Sequence, residues 1–165
     1  MSSTTPVAET KQLTVPVGGR VQLALNVKDV DEAVAFYSRL FGVEPAKRRP
    51  GYANFAIEQP PLKLVLLENA EATDRLNHLG VEVESTDVVT ATTQRLANQG
   101  MTTDVEDEVT CCFAVQDKVW VDDPDGAAWE IYTVLADATE MGGTTRSGEA
   151  EAEGDSSVGG ACACR

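Results

Sequence analysis

Basic groups are scarce in this chain, and histidine occurs once. Thirteen Lys and Arg stand against 27 Asp and Glu, for a formal charge of -14. A surface of that sign repels phosphate backbones and anionic headgroups, so neither nucleic acid nor a membrane is expected as a partner. No apolar run approaches the ~20 residues that a spanning helix needs. Residues 1–6 have neither the basic start nor the apolar core of an export signal. The expected location is therefore cytoplasmic. Cysteine is also sparse, with four in all, and two are the neighbours Cys111 and Cys112. Adjacent α-carbons lie only ~3.8 Å apart, closer than ordinary disulfide geometry allows, and a reducing compartment keeps such residues as thiols.

What is present suits one domain or two small modules sharing a core: 165 residues, 42% hydrophobic and 24% charged. Composition sets off both ends. Residues 1–19 are rich in Ser, Thr and Pro, and residues 139–165 are acidic and rich in Gly, Ser and Ala, ending in Cys162-Ala163-Cys164-Arg165. Both are expected to be flexible, which leaves 20–136 as the folded domain.

Within it, Val21, Leu23, Leu25 and Val27 alternate with Gln22, Ala24 and Asn26 as in a strand. A helix capped by Asp29 or Asp31 follows to about Phe41, where Gly42 stops it, and strands are expected at 52–57 and 62–67. The order then restarts. A strand is expected at 77–83, and a helix capped by Asp87 runs to Asn98 and stops at Gly100. Strands follow near 103–109, 112–115, 119–121 and 128–134. Overlaying the halves at an offset of 56 residues sets Gln22 on His78 and Asp31 on Asp87, a weak internal repeat of modules at about 20–70 and 74–136.

A lone imidazole supplies only one of the ligands a metal needs, but the repeat brings Gln22 towards His78 from the other module. Glu130 follows the turn Asp122-Asp123-Pro124-Asp125-Gly126 and takes the strand face opposite Trp129 and Ile131. An amide oxygen, an imidazole nitrogen and a carboxylate on three strands can hold one divalent ion facially and leave positions open for substrate and dioxygen or water. Cys111-Cys112 reads in two ways. In a regular strand one thiol faces the core and the other solvent; at a loop both converge on one soft ion or metalloid. Gln116 to Lys118 reads as a hairpin turn with solvated charge.

The opening strand 21–27, the helix end Phe36-Tyr37-Ser38-Arg39-Leu40-Phe41-Gly42, His78 on the equivalent strand, and Asp123-Pro124-Asp125-Gly126 before Trp129-Glu130 resemble the vicinal oxygen chelate superfamily of glyoxalases, extradiol dioxygenases and fosfomycin-resistance proteins. The resemblance implies an α+β fold in which two βαβββ modules form a curled mixed sheet around a metal, with Gln22, His78 and Glu130 at ligand positions. Gln22 departs from the extradiol pattern of two histidines and a carboxylate. The second glutamate of glyoxalases is missing from Lys63-Leu64-Val65-Leu66-Leu67.

Gly51-Tyr52-Ala53-Asn54-Phe55, Leu76-Asn77-His78-Leu79-Gly80-Val81 and Cys111-Cys112-Phe113-Ala114-Val115-Gln116-Asp117-Lys118-Val119-Trp120 resemble the carbon-arsenic lyase branch, related to cadmium-induced proteins. That branch implies an Fe(II)-dependent dioxygenase releasing arsenite from trivalent organoarsenicals. Cys111 and Cys112 would bind arsenic and act with Glu130 in catalysis, and Gln22, His78 and Glu130 would hold the metal. The same ligands accept Zn, Ni, Mn or Co. Cys162 and Cys164 are candidates for an arsenic relay. The competing readings are a metalloid- or cadmium-sequestering protein, and an extradiol-type dioxygenase or thiol transferase acting on a carbon substrate. Monomer and homodimer are both open.

Overall fold

A computed structural model of the chain describes residues 19–142. Strand β1 (Arg20–Val27) leads into helix α1 (Val30–Phe41), and β2 (Lys47–Arg49), β3 (Tyr52–Ile57) and β4 (Leu62–Glu68) complete the first half. The second half repeats the order with β5 (Leu76–Glu82), α2 (Thr86–Asn98), β6 (Asp104–Cys111), β7 (Ala114–Asp122) and β8 (Ala128–Asp137). All eight strands form one mixed sheet, β2-β3-β4-β1-β5-β8-β7-β6, which curls into a half-barrel. Each half closes on a parallel pair, β1 with β4 and β5 with β8. The antiparallel β1–β5 pair joins the halves at the centre.

Local chemistry explains the helix ends. The Asp29 carboxylate accepts from the Glu32 amide, and Gly42, at φ 69, takes the left-handed turn that ends α1. The second helix departs from expectation. Its N-cap is Ser85, and Asp87 lies in the first turn, where its charge complements the helix dipole. Asp29 and Ser85 are separated by the same offset as Gln22 and His78, so the repeat is kept at the caps.

Both helices cover one face of the sheet. Val30 and Val34 of α1 pack on Phe55, Leu64 and Leu66, while Val89 of α2 packs on Val83 and Val119. Burying each large apolar side chain contributes roughly 1.5–3 kcal/mol. The alternate residues of the same strands line the concave face, where Phe113 of the second half packs with Ala24, Tyr52, Val65 and Leu67 of the first.

Two strands differ from the sequence reading. The short β2 was not foreseen, and the expected strands at 112–115 and 119–121 are one strand, β7. The residues read as a solvated turn lie inside it: Gln116, Asp117 and Lys118 are all buried. Packing reaches beyond residue 136. β8 continues to Asp137, Met141 packs beside Cys112, and Gly142 bridges to Cys111. No helix among the described residues is long and apolar enough to cross a membrane.

Candidate metal and thiol site

The strand register places the candidate ligands. Gln22 of β1 lies opposite Gly80 of β5, which lies opposite Glu130 of β8, so two ligands flank one glycine. His78 follows two residues away on the same face of β5. A Cβ at Gly80 would stand 2.9 Å from Glu130 Cγ and 3.4 Å from Gln22 Cβ. The missing methyl is the space into which these side chains converge. Gly80→Ala should therefore cost about 1–3 kcal/mol through overpacking and weaken divalent-metal affinity at least tenfold, measured by thermal melting and by Co(II) titration.

Gln22 Nε2 lies 2.9 Å from His78 Nε2 and 2.5 Å from Glu130 Oε1, and His78 Nε2 lies 3.2 Å from that oxygen. Adjacent donors around an ion with bonds of 2.0–2.2 Å stand about 3 Å apart, so a triangle of this size suits one ion when the Gln22 amide oxygen takes the corner that Nε2 holds. Among the described residues no three His, Cys, Asp or Glu side chains form a metal-holding group; the third corner is the amide of Gln22.

A directional chain of hydrogen bonds fixes the imidazole. The Asp74 backbone carbonyl can only accept, so Asn26 donates Nδ2 to it and presents Oδ1 to Asn77 Nδ2. Asn77 Oδ1 then faces His78 Nδ1 at 2.7 Å. Nδ1 must carry the proton, which leaves the Nε2 lone pair facing the cavity, the tautomer a metal requires.

Burial alone would raise the Glu130 carboxyl, but the Lys118 ammonium and, in its protonated form, the His78 imidazolium outweigh it and bring its pKa down to about 2. Lys118, 1% exposed, donates to Glu130 Oε2 at 2.9 Å. Burial disfavours its charge too, yet Glu130 and the two thiols raise its pKa overall. Sequence reasoning passed over this lysine because Gln116-Asp117-Lys118 looks like a turn. Register was the available signal, since Lys118 shares a face with Gln116 and Trp120 and so with the site.

Cys111 ends β6, and Cys112 and Phe113 form a two-residue link to β7 with φ 53 and φ 62. Positive φ at both positions is the pattern of a type I′ hairpin, uncommon without glycine or asparagine. It turns the side chains out of strand alternation and brings the two Sγ atoms within 3.4 Å. Cys111 is buried and Cys112 is half-buried, and no disulfide joins them among the described residues. The pair thus sits at a hairpin with its sulfurs side by side, and not in a regular strand. Cys162 and Cys164 lie outside the described residues.

Both thiols, the three candidate ligands and Lys118 line one cavity of about 10 Å³, room for a single ion or water. Gln116 lines it too, and its buried Oε1 has no hydrogen-bond partner among the described residues. Val65 occupies the place related by the repeat to Glu130, because Ala24 pairs with Val65 as Gly80 pairs with Glu130. Among the described residues, that position therefore carries an apolar side chain where the second half carries a carboxylate. A wider groove of about 700 Å³ between Met101 and Trp129 contains no thiol or imidazole.

Two paired modules of strand, helix and strands, joined through β1 and β5 and curled round a cluster of buried polar side chains, define the class of fold. Residues 19–131 match the Glyoxalase/Bleomycin resistance protein/Dioxygenase superfamily, and the chain belongs to it. It is 58% identical over 139 residues to the cadmium-induced protein CadI of Mycobacterium tuberculosis, covering 84% of this chain and 91% of that protein. It is 56% identical over 123 residues to the trivalent organoarsenical cleaving enzyme of Thermomonospora curvata, covering 74% and 82%. Among solved structures, an extradiol ring-cleaving dioxygenase from B. fuscum superposes with a TM-score of 0.54 at 17% identity, covering 72% of this chain and 33% of that one, a likeness of fold.

Proposed function

We propose that this protein cleaves the carbon–arsenic bond of trivalent organoarsenicals and releases arsenite, using dioxygen and Fe(II). The observation that carries the reading is a thiol pair with Sγ atoms 3.4 Å apart, in the same cavity as an amide, an imidazole and a carboxylate. The name of the Thermomonospora curvata relative supports it.

A monoalkyl arsenical has two exchangeable positions on arsenic, and two adjacent thiolates fill both. Cys111 and Cys112 would hold arsenic so that its carbon faces the ligand triangle, which makes the encounter local. The Lys118 ammonium favours the thiolate forms beside it and keeps Glu130 ionised. Gln22, His78 and Glu130 would hold Fe(II), whose chemistry when bound is the activation of dioxygen. Methylarsonous acid plus one dioxygen has the atoms of formaldehyde plus arsenous acid, so no further reductant is required. Pentavalent arsenicals offer thiolates no exchangeable position and are not direct substrates.

The test is aerobic incubation of Fe(II)-loaded protein with excess methylarsenite, following arsenite by speciation. Release beyond one equivalent is expected, with loss of release in His78→Ala and without oxygen. The second reading, a sequestering protein, draws on the Lys118–Glu130 ion pair, in which a side chain of the protein itself balances the carboxylate charge. It requires arsenic retained at one equivalent with no arsenite released.

A further inference from the structure

Gln22 presents the wrong end of its amide for ligation. Its Nε2 faces Glu130 and His78, while its Oε1 accepts from the Tyr132 hydroxyl at 2.5 Å. An NH2 group has no lone pair to give a metal, so ligation by Gln22 needs its oxygen in the place the nitrogen now holds. Half a turn about the last side-chain torsion does this without moving the backbone.

That turn leaves Nε2 facing Tyr132, whose proton can no longer point at Gln22. A second acceptor is already in place: Glu82 Oε2 lies 3.2 Å from the same hydroxyl. Arg20 and Lys63 hold Glu82 at 2.9 and 3.0 Å, and the Lys63 ammonium also sits 4.9 Å from the centre of the Tyr132 ring. The phenol oxygen accepts from Gln22 while its proton goes to Glu82, and every polar group stays paired in both states.

We propose that Tyr132 is a positioning residue that admits the metal-ligating orientation of Gln22, with Glu82 receiving the phenol hydrogen bond when the amide turns. Neither residue touches the ion. The proposal rests on the reading of Gln22, His78 and Glu130 as a metal site, and the test separates the two.

Metal-free full-length protein is titrated with Co(II) calorimetrically, and the Gln22 side-chain amide is followed by ¹⁵N NMR with Zn(II). Wild type should bind one equivalent, and the Gln22 NH2 signals should shift as their acceptor changes from Glu130 to Tyr132. Tyr132→Phe keeps the ring and loses the acceptor, so affinity should fall about 10–100-fold, as for other partners that orient a ligand. Glu82→Ala, should the first variant misfold, is expected to weaken binding in the same direction. In a Gln22→His background, where the donor has no amide to orient, Tyr132→Phe should change affinity less than about threefold. Equal affinity in wild type and Tyr132→Phe would overturn the positioning role alone, as would an equal loss in the Gln22→His background. Failure of wild type to bind Co(II) would remove the metal site, and the proposal with it.

Discussion

Glu130→Ala should unfold the protein at a temperature lower by more than ~10 °C, apart from abolishing activity. The cause is the cation left behind. Lys118 is 1% exposed, and Glu130 is its ion-pair partner in the site. The Trp120 and Tyr132 rings at 5.3 and 5.9 Å offer weak compensation. Breaking a buried pair on one side costs roughly 3–5 kcal/mol, whereas replacing both partners by groups of similar shape is often neutral. The double variant Glu130→Gln with Lys118→Met should therefore melt close to wild type and remain inactive. If the single variant melts within 3 °C of wild type, the pair is not the buried charge couple described above.

The same pair sets an acid limit. Glu130 binds its proton at a pKa of about 2 when folded, against an ordinary 4.5. The folded state thus holds fewer protons than the unfolded one, and stability rises with pH through that window. Of the order of 3 kcal/mol is present above pH 4.5 and is lost as pH falls from 4.5 towards 2. Urea melts of metal-free protein at pH 7, 4.5, 3 and 2 should show this loss in wild type and a much smaller slope in the double variant.

Much of this arrangement was legible in the sequence because the signals were local. Asp29 and Gly42 mark α1 through capping chemistry that needs no tertiary partner. The repeat offset was visible because strand and helix starts recur together, and it brought Gln22 to His78 before any contact was known. Lys118 was hidden because β7 is covered on both faces. Asp117 points towards α2, accepting from Thr86, while Lys118 points to Glu130, so the buried middle of the strand displays the polarity of a turn. The thiol geometry was hidden for another reason. Neither Cys112 nor Phe113 is a residue that favours positive φ, and the hairpin is set by packing of Phe113 on Tyr52, ring centroids 5.3 Å apart, and by Lys47 donating to the Phe113 carbonyl at 2.9 Å. Backbone strain kept by surrounding structure is a feature of functional sites.

The thiol pair makes the sharpest prediction about substrate choice. Cys111 and Cys112, with Sγ atoms 3.4 Å apart, can occupy two positions on one arsenic, and the second bond then forms within a complex instead of between molecules. Cys111→Ser and Cys112→Ser should each lower kcat/KM for methylarsenite by at least ~10³-fold, because one thiolate neither holds nor orients the arsenic. Co(II) affinity should stay within threefold, since neither thiol is a corner of the ligand triangle. Selectivity separates chelation from a general loss of reactivity. A dialkyl trivalent arsenical has one exchangeable position and gains nothing from a second thiol, so wild type should prefer the monoalkyl compound strongly and either serine variant should bind the two alike. Competition between the two arsenicals, read by protein-bound arsenic, measures the ratio directly. A variant that keeps the wild-type preference would mean that the pocket, and not the pair, selects the substrate. The half-buried Cys112 should also alkylate before the buried Cys111, and bound arsenical should protect both, as expected if one metalloid spans the pair.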